Sequence, residues 1–206
     1  MDKLTPRALS LSNPWKLIEF MSVFSPVILA LIVFSMTFIF QSPKGFIFLI
    51  IFLIISGLRE FVLYLMNAPK FFAKGDFCTM VQYGQYSNVG YIVFIATFTF
   101  IYLFTPMFYN NDYNYLALGG YLTYFIIISW LLMNQGCMKI VDVFLNMFSG
   151  GVVGVLVLGA IMSLGLKDYL VFNEVSSSKE VCTMPKKQTF KCSVYKNGEL
   201  VGSSNT

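Results

Sequence analysis

The chain has 206 residues, of which 57% are hydrophobic and 12% charged, with a net charge of +4 and no histidine. A soluble domain carries about 25% charged residues, so lipid rather than water is the expected solvent. The missing histidine excludes imidazole acid–base catalysis, histidine metal ligation and a histidine pH switch, and the small, scattered positive charge argues against nucleic acid as a partner.

Residues 1–16 are polar and basic, with Lys3, Arg7 and Lys16 set against Asp2. The apolar run that follows, 17–40, is too long for a signal-peptide core and lacks an A-x-A cleavage site. It is expected to be an uncleaved first transmembrane helix, kinked at Pro26. A tight turn at 41–44 leads to a second apolar run, 45–66, which carries Arg59 and Glu60 within its length. Residues 67–89 then form the longest internal loop, with Lys70, Lys74 and Asp76.

The third run covers 90–108, with Pro106 near its end. A polar connector flanked by Tyr109 and Tyr113 follows it, as amphipathic rings prefer the membrane interface. The fourth run is 115–133 and the fifth 138–166. About 20 apolar residues cross a bilayer core as a helix, so the expected fold class is an all-α polytopic membrane protein of about five transmembrane helices. The helical block occupies 17–166 and a hydrophilic tail occupies 167–206. A four-span arrangement, with 138–147 on the surface or one other run left out, is the alternative.

Five spans put the termini on opposite sides. Lys3, Arg7, Lys16, Lys70, Lys74 and Lys139 then share the amino-terminal face, while the other face holds Lys44 and the start of the tail at Lys167. Lys and Arg favour the cytoplasmic side, which places the amino terminus inside and the tail outside.

The fifth run is the stretch the rest of the chain is expected to lean on. Asp142, Asn146 and Ser149 fall on one helical stripe, and Ser149, Gly150, Gly151 and Gly154 form a small-residue face of the kind that packs helices in lipid. That face fits either a neighbouring helix of the chain or a second copy in a homo-oligomer. Charges at membrane depth are costly and mark candidate sites. Arg59 and Asp142 lie at compatible depths and are expected to pair. The plainer reading of that pair is two helices held together, with Glu60 near the interface or paired to Lys139. The sharper one is a polar path through Arg59, Glu60 and Asp142 in a small transporter or channel.

In the tail, Thr189 to Tyr195 alternates as a strand does, and Asn197-Gly198 is a two-residue hairpin signal. A hairpin over 181–201 is expected, closed by a Cys182–Cys192 disulfide; the alternative is two free thiols in a reducing compartment. So small a hairpin is not stable alone, so it calls for the disulfide, a partner surface, or both. Lys186, Lys187, Lys191, Tyr195 and Lys196 are the expected contact residues toward an acidic partner. Cys78 and Cys137 read as ordinary small residues near the opposite interface. No phosphate loop, H-E-x-x-H, G-x-S-x-G or C-x-x-C occurs, so no catalytic residue, cofactor or metal is expected.

Residues 24–49 (FSPVILALIVFSMTFIFQSPKGFIFL), continuing to 88–108 (NVGYIVFIATFTFIYLFTPMF), and the closing segment 181–200 (VCTMPKKQTFKCSVYKNGEL) carry a resemblance. They resemble a family of small multi-span membrane proteins of large icosahedral DNA viruses. The resemblance covers most of the chain but includes no catalytic motif. It implies a structural protein of the virion inner membrane, a minor capsid component whose partners are the lipid bilayer and capsid or other virion proteins. Such viruses commonly encode a thiol oxidase, so a disulfide in the tail would not by itself fix the side it faces.

Overall fold

The computed structural model describes residues 14–39, 41–68, 77–78, 81, 83–86, 88–111, 113–166, 169–171, 191–196 and 199–205. Six helices follow in chain order among them: α1 (Pro14–Val23), α2 (Ser25–Ile39), α3 (Lys44–Leu65), α4 (Asn88–Asn110), α5 (Tyr115–Asn134) and α6 (Ile140–Ser163). Of these, α3, α4, α5 and α6 are each long and apolar enough to cross a membrane. Backbone alone is described for two strands, β1 (Lys191–Lys196) and β2 (Glu199–Asn205), which run antiparallel. Cys182, Lys186 and Lys187 lie outside the described residues, as do the side chains of Lys191, Cys192, Tyr195 and Lys196.

The first apolar run is two helices rather than one kinked helix. α1 and α2 meet at Phe24 with a bend of 75°. Pro26 has no N–H to donate to the carbonyl four residues back and its ring crowds that carbonyl, but in the first turn of a new helix neither matters. The chain therefore restarts at Ser25 instead of bending gently. The carbonyl of Val23, left at the break, accepts a hydrogen bond from the Tyr83 hydroxyl at 2.6 Å. Trp15 packs edge-to-face on Trp130 near the end of α5, and the Gln135 Nε2 donates to the Glu19 Oε1 at 2.8 Å. These contacts hold α1 against the end of α5, which defines an amino-terminal face together with residues 66–68, 77–78, 83–86 and 135–139. The α2–α3, α4–α5 and post-α6 connections share the other face, toward the tail.

The centre of the bundle is α4, and this differs from the expectation that the last helix organises the chain. In α4, 78% of the apolar window is buried, against 17% for α6. Phe98, Ile95 and Thr99 of α4 are wholly buried, and Phe98 and Tyr102 pack on Phe48 of α3 with ring centroids 6.4 and 5.1 Å apart. A helix apolar all round belongs in the interior. In lipid, though, every span is apolar all round, and hydropathy alone does not sort centre from rim.

Helix α6 packs directly against this centre through its small-residue face. A Cβ at Gly150 would run into the carbonyl of Phe94, and one at Gly154 would lie 2.8 Å from the Ile101 Cβ. Gly151 faces Thr97 at a looser 3.8 Å, and Ser149 is exposed, donating to the Asn146 carbonyl. The neighbour of the small face is thus α4 of the same chain. Gly45 plays the same part between α3 and α2, where a Cβ would meet Thr37 and the Val33 carbonyl.

Because backbone rather than a movable side chain blocks position 150, Gly150→Leu is expected to separate α6 from α4 and cost about 2–3 kcal/mol, the upper part of the overpacking range. Gly159→Leu is its control, since nothing lies within 4 Å of a Cβ there. Thermal denaturation in detergent should lower the transition of the first variant and leave the second at wild type.

Candidate functional site

The polar centre of the molecule lies near the amino-terminal face, where α3, α4 and α6 converge under residues 83–86. Arg59 sits six residues before the end of α3, about 9 Å in from that end, and its side chain is only 8% exposed. Its Nη1 lies 3.6 Å from the Glu60 Oε1, and its Nη2 donates to the Asn146 Oδ1 of α6 at 3.4 Å. The guanidinium also lies over two rings of α4, 5.6 Å from the centroid of Tyr91 and 5.4 Å from that of Phe94. A weakly hydrated, planar cation suits such a setting better than an ammonium would.

The surrounding groups are held in turn. The Ser56 hydroxyl donates to the Phe52 carbonyl at 2.7 Å. With its one proton so used, it accepts from the Tyr91 hydroxyl, also at 2.7 Å. The Glu60 carboxylate is part-exposed and accepts the Gln85 N–H at 3.3 Å, and it lies close against Gly84. Tyr83 stacks on Tyr91 with centroids 5.2 Å apart, and burial pushes its phenol well above the ordinary tyrosine range. The network thus joins three helices and the loop that also caps the α1–α2 break.

The expected Arg59–Asp142 pair is not formed. Asp142 is exposed in the first turn of α6, where its Oδ2 accepts the backbone N–H of Lys139 at 3.0 Å. A carboxylate at a helix N-terminus satisfies an otherwise unpaired donor and meets the positive end of the helix dipole. Arg59 reaches the same helix one turn deeper. Asn146 lies six residues into α6, as Arg59 lies six from the end of α3, whereas Asp142 lies only two in. Depth was the right criterion, applied to the wrong residue of the stripe. Asn146 is held ready because its Nδ2 donates to the Asp142 carbonyl at 2.7 Å. Glu60 pairs with Arg59 and the loop rather than with Lys139.

A second feature of this face overturns the reading of Cys78 and Cys137 as ordinary small residues. They form a disulfide across a sequence separation of 59, with Cα atoms 5.5 Å apart. Gly136, at φ +68°, ends α5 in the left-handed conformation and turns Cys137 back toward the loop, its N–H donating to the Leu132 carbonyl. Both cysteines are buried among Val89, Val93, Leu132 and Val143. Two single cysteines in separate loops give no spacing signal, because a disulfide is specified by Cα distance and direction.

Chemically, the arrangement binds its own charges. Arg59 is ringed by a carboxylate, an amide and two π faces, and among the described residues no group of three His, Cys, Asp or Glu side chains could hold a metal. Comparison with known protein families, with curated proteins and with solved structures finds no match.

Proposed function

We propose that the chain is a non-enzymatic structural protein of a viral inner membrane, anchoring that membrane to capsid or other virion proteins through its tail. The observation that carries the structural half of this reading is the closed state of the interior. Arg59 is engaged by Glu60, Asn146 and two aromatic rings at one end of the bundle, and below it the centre is filled by Phe48, Phe98 and Tyr102. Such a centre supports an anchor more readily than a path for a polar solute. The viral half rests on the resemblance of residues 24–49, 88–108 and 181–200.

In this reading the broken pair α1–α2 counts as one span. Trp15 meets the end of α5 on the amino-terminal face, while α3 begins on the tail face directly after α2. Five crossings then leave the tail on the side opposite the Cys78–Cys137 disulfide. The contact module is the segment 181–201, with Lys186, Lys187, Lys191, Tyr195 and Lys196 toward an acidic capsid surface and a Cys182–Cys192 bridge closing it. An unpaired strand edge adds readily to a partner's sheet.

Deleting residues 181–206 tests the proposal. The truncated chain is expected to insert normally, judged by carbonate extraction, and to lose its recruitment to assembled particles. Incorporation at the wild-type level would remove the tail as the contact. The competing transporter reading draws on one observation, a buried arginine at membrane depth, and substitutions at Arg59 distinguish it.

A further inference from the structure

Helix α1 lies across the bundle rather than along it. Its axis makes 75° with that of α2, so with α2 along the membrane normal it runs close to the membrane plane. Both of its ends meet the same face of the molecule. Trp15, in the first turn, packs on Trp130, and Glu19, midway, accepts from Gln135 just beyond α5. At the far end the Val23 carbonyl accepts from Tyr83 of the loop on that face. A helix continuing the crossing would carry its two ends to different depths. We propose that α1 is an interfacial helix, laid in the amino-terminal leaflet at the boundary of headgroups and hydrocarbon, and that α2 alone makes the crossing of the broken pair.

Depth agrees with this placement. A tight turn joins α2 and α3 at the tail face, yet α2 has 15 residues and α3 has 22, about 22 and 33 Å at the helical rise. Trp130 lies as far from the tail face as the Ser25 end of α2 does, being 15 residues beyond the start of α5. Against a hydrocarbon core of roughly 30 Å, α1 then sits about 8 Å inside the boundary, within the 5–10 Å at which amphipathic helices settle.

The faces of α1 agree as well. Leu17, Ile18 and Met21 share one side of the helix, and Lys16 lies about 140° from Met21 at 3.6 residues per turn. Ile18 and Met21 roof the groove between α2 and α5, so the apolar side is turned toward the bilayer interior. Lys16 is exposed on the other side, toward headgroups and water. The break also suits this depth, where each freed backbone group needs a partner. The Phe24 N–H donates to the Phe20 carbonyl, the Ile28 N–H to that of Phe24, and Tyr83 takes that of Val23.

The unaltered chain tests the orientation. It has two tryptophans, one in α1 and one in the crossing helix α5. The chain, carrying heavy nitrogen at the tryptophan backbone amides, is studied by solid-state NMR in bilayers aligned with their normal along the field. Two signals at opposite ends of the amide shift range are expected, Trp130 at the crossing end and Trp15 at the in-plane end. Two signals at the crossing end would overturn the proposal, as would a Trp15 signal averaged to the isotropic position.

Immersion is tested separately. In a Trp15→Phe, Trp130→Phe background, a single tryptophan replaces Met21 or Lys16, both exposed, in vesicles of phosphatidylcholine brominated at mid-chain. Met21→Trp is expected to be quenched several-fold more than Lys16→Trp. Equal quenching would overturn the proposal, since α1 is then held clear of the bilayer or sunk in it on all sides. So would Met21→Trp quenching that falls as the protein-to-lipid ratio rises, which marks a second copy of the chain as the cover. The oriented-bilayer result does not depend on how these variants fold.

Discussion

Arg59→Met is expected to destabilise the fold by about 3 kcal/mol. Breaking a buried ion pair costs about 3–5 kcal/mol when the remaining charge stays buried. Glu60 is 30% exposed and keeps its bond from the Gln85 N–H, so the charge term falls below that range. Loss of two ring contacts and of the bond to Asn146 adds the remainder. Arg59→Lys should recover only part of the loss, since an ammonium is a point charge that cannot engage a carboxylate, an amide and two ring faces together.

Pairing Arg59→Met with Glu60→Leu should approach wild-type stability, because removing both charges leaves none unpaired. Unfolding in mixed micelles, read by tryptophan fluorescence, measures all three. A transport role requires the opposite pattern, in which Arg59→Lys and Arg59→Met fold as wild type and differ only in flux. That result would overturn the scaffold reading. Asp142→Asn supplies an internal contrast. The side chain is exposed and its bond is to its own helix start, so about 1 kcal/mol or less is expected, as for other helix caps.

The sequence made the spans legible because lipid imposes a length, and 45–66, 90–108, 115–133 and 138–166 lie within a few residues of α3, α4, α5 and α6. Their arrangement was less legible. Gly150 and Gly154 announced a close approach, but small residues mark a face without naming its partner. That the partner is Phe94 and Ile101 of α4 follows only from the packing. Pro26 marked the first helix as irregular. Whether a proline kinks a helix or opens a new one depends on its neighbours, and here the Tyr83 hydroxyl on the Val23 carbonyl stabilises the open break. In the site, Arg59 was visible as a charge at depth. Ser56 and Tyr91, which complete its surroundings, are ordinary residues of apolar helices until the helices are docked.

The disulfide is expected to matter about as much as the arginine. Closing a loop of the separation seen between Cys78 and Cys137, 59 residues, removes loop entropy worth about 4 kcal/mol from a fully unfolded chain. That figure is an upper bound in a bilayer, where helices persist in the unfolded state and already restrict the loop. Cys78→Ser with Cys137→Ser should therefore lower stability by about 2–4 kcal/mol, and dithiothreitol should do the same to the wild type but nothing further to the variant. Equal stability of wild type and variant would leave the bridge without a structural role.

The same bond tests the orientation. It lies on the face that collects Lys16 and Lys139, the cytoplasmic face by charge sorting, yet cytosolic thiols are kept reduced. In sealed cells expressing the chain alone, the charge-sorted orientation predicts that both cysteines are reduced and that stability rises only after an added oxidant closes the bridge. A bridge already closed there, and cleaved from outside by an impermeant phosphine, would invert the orientation and place the tail in the cytoplasm.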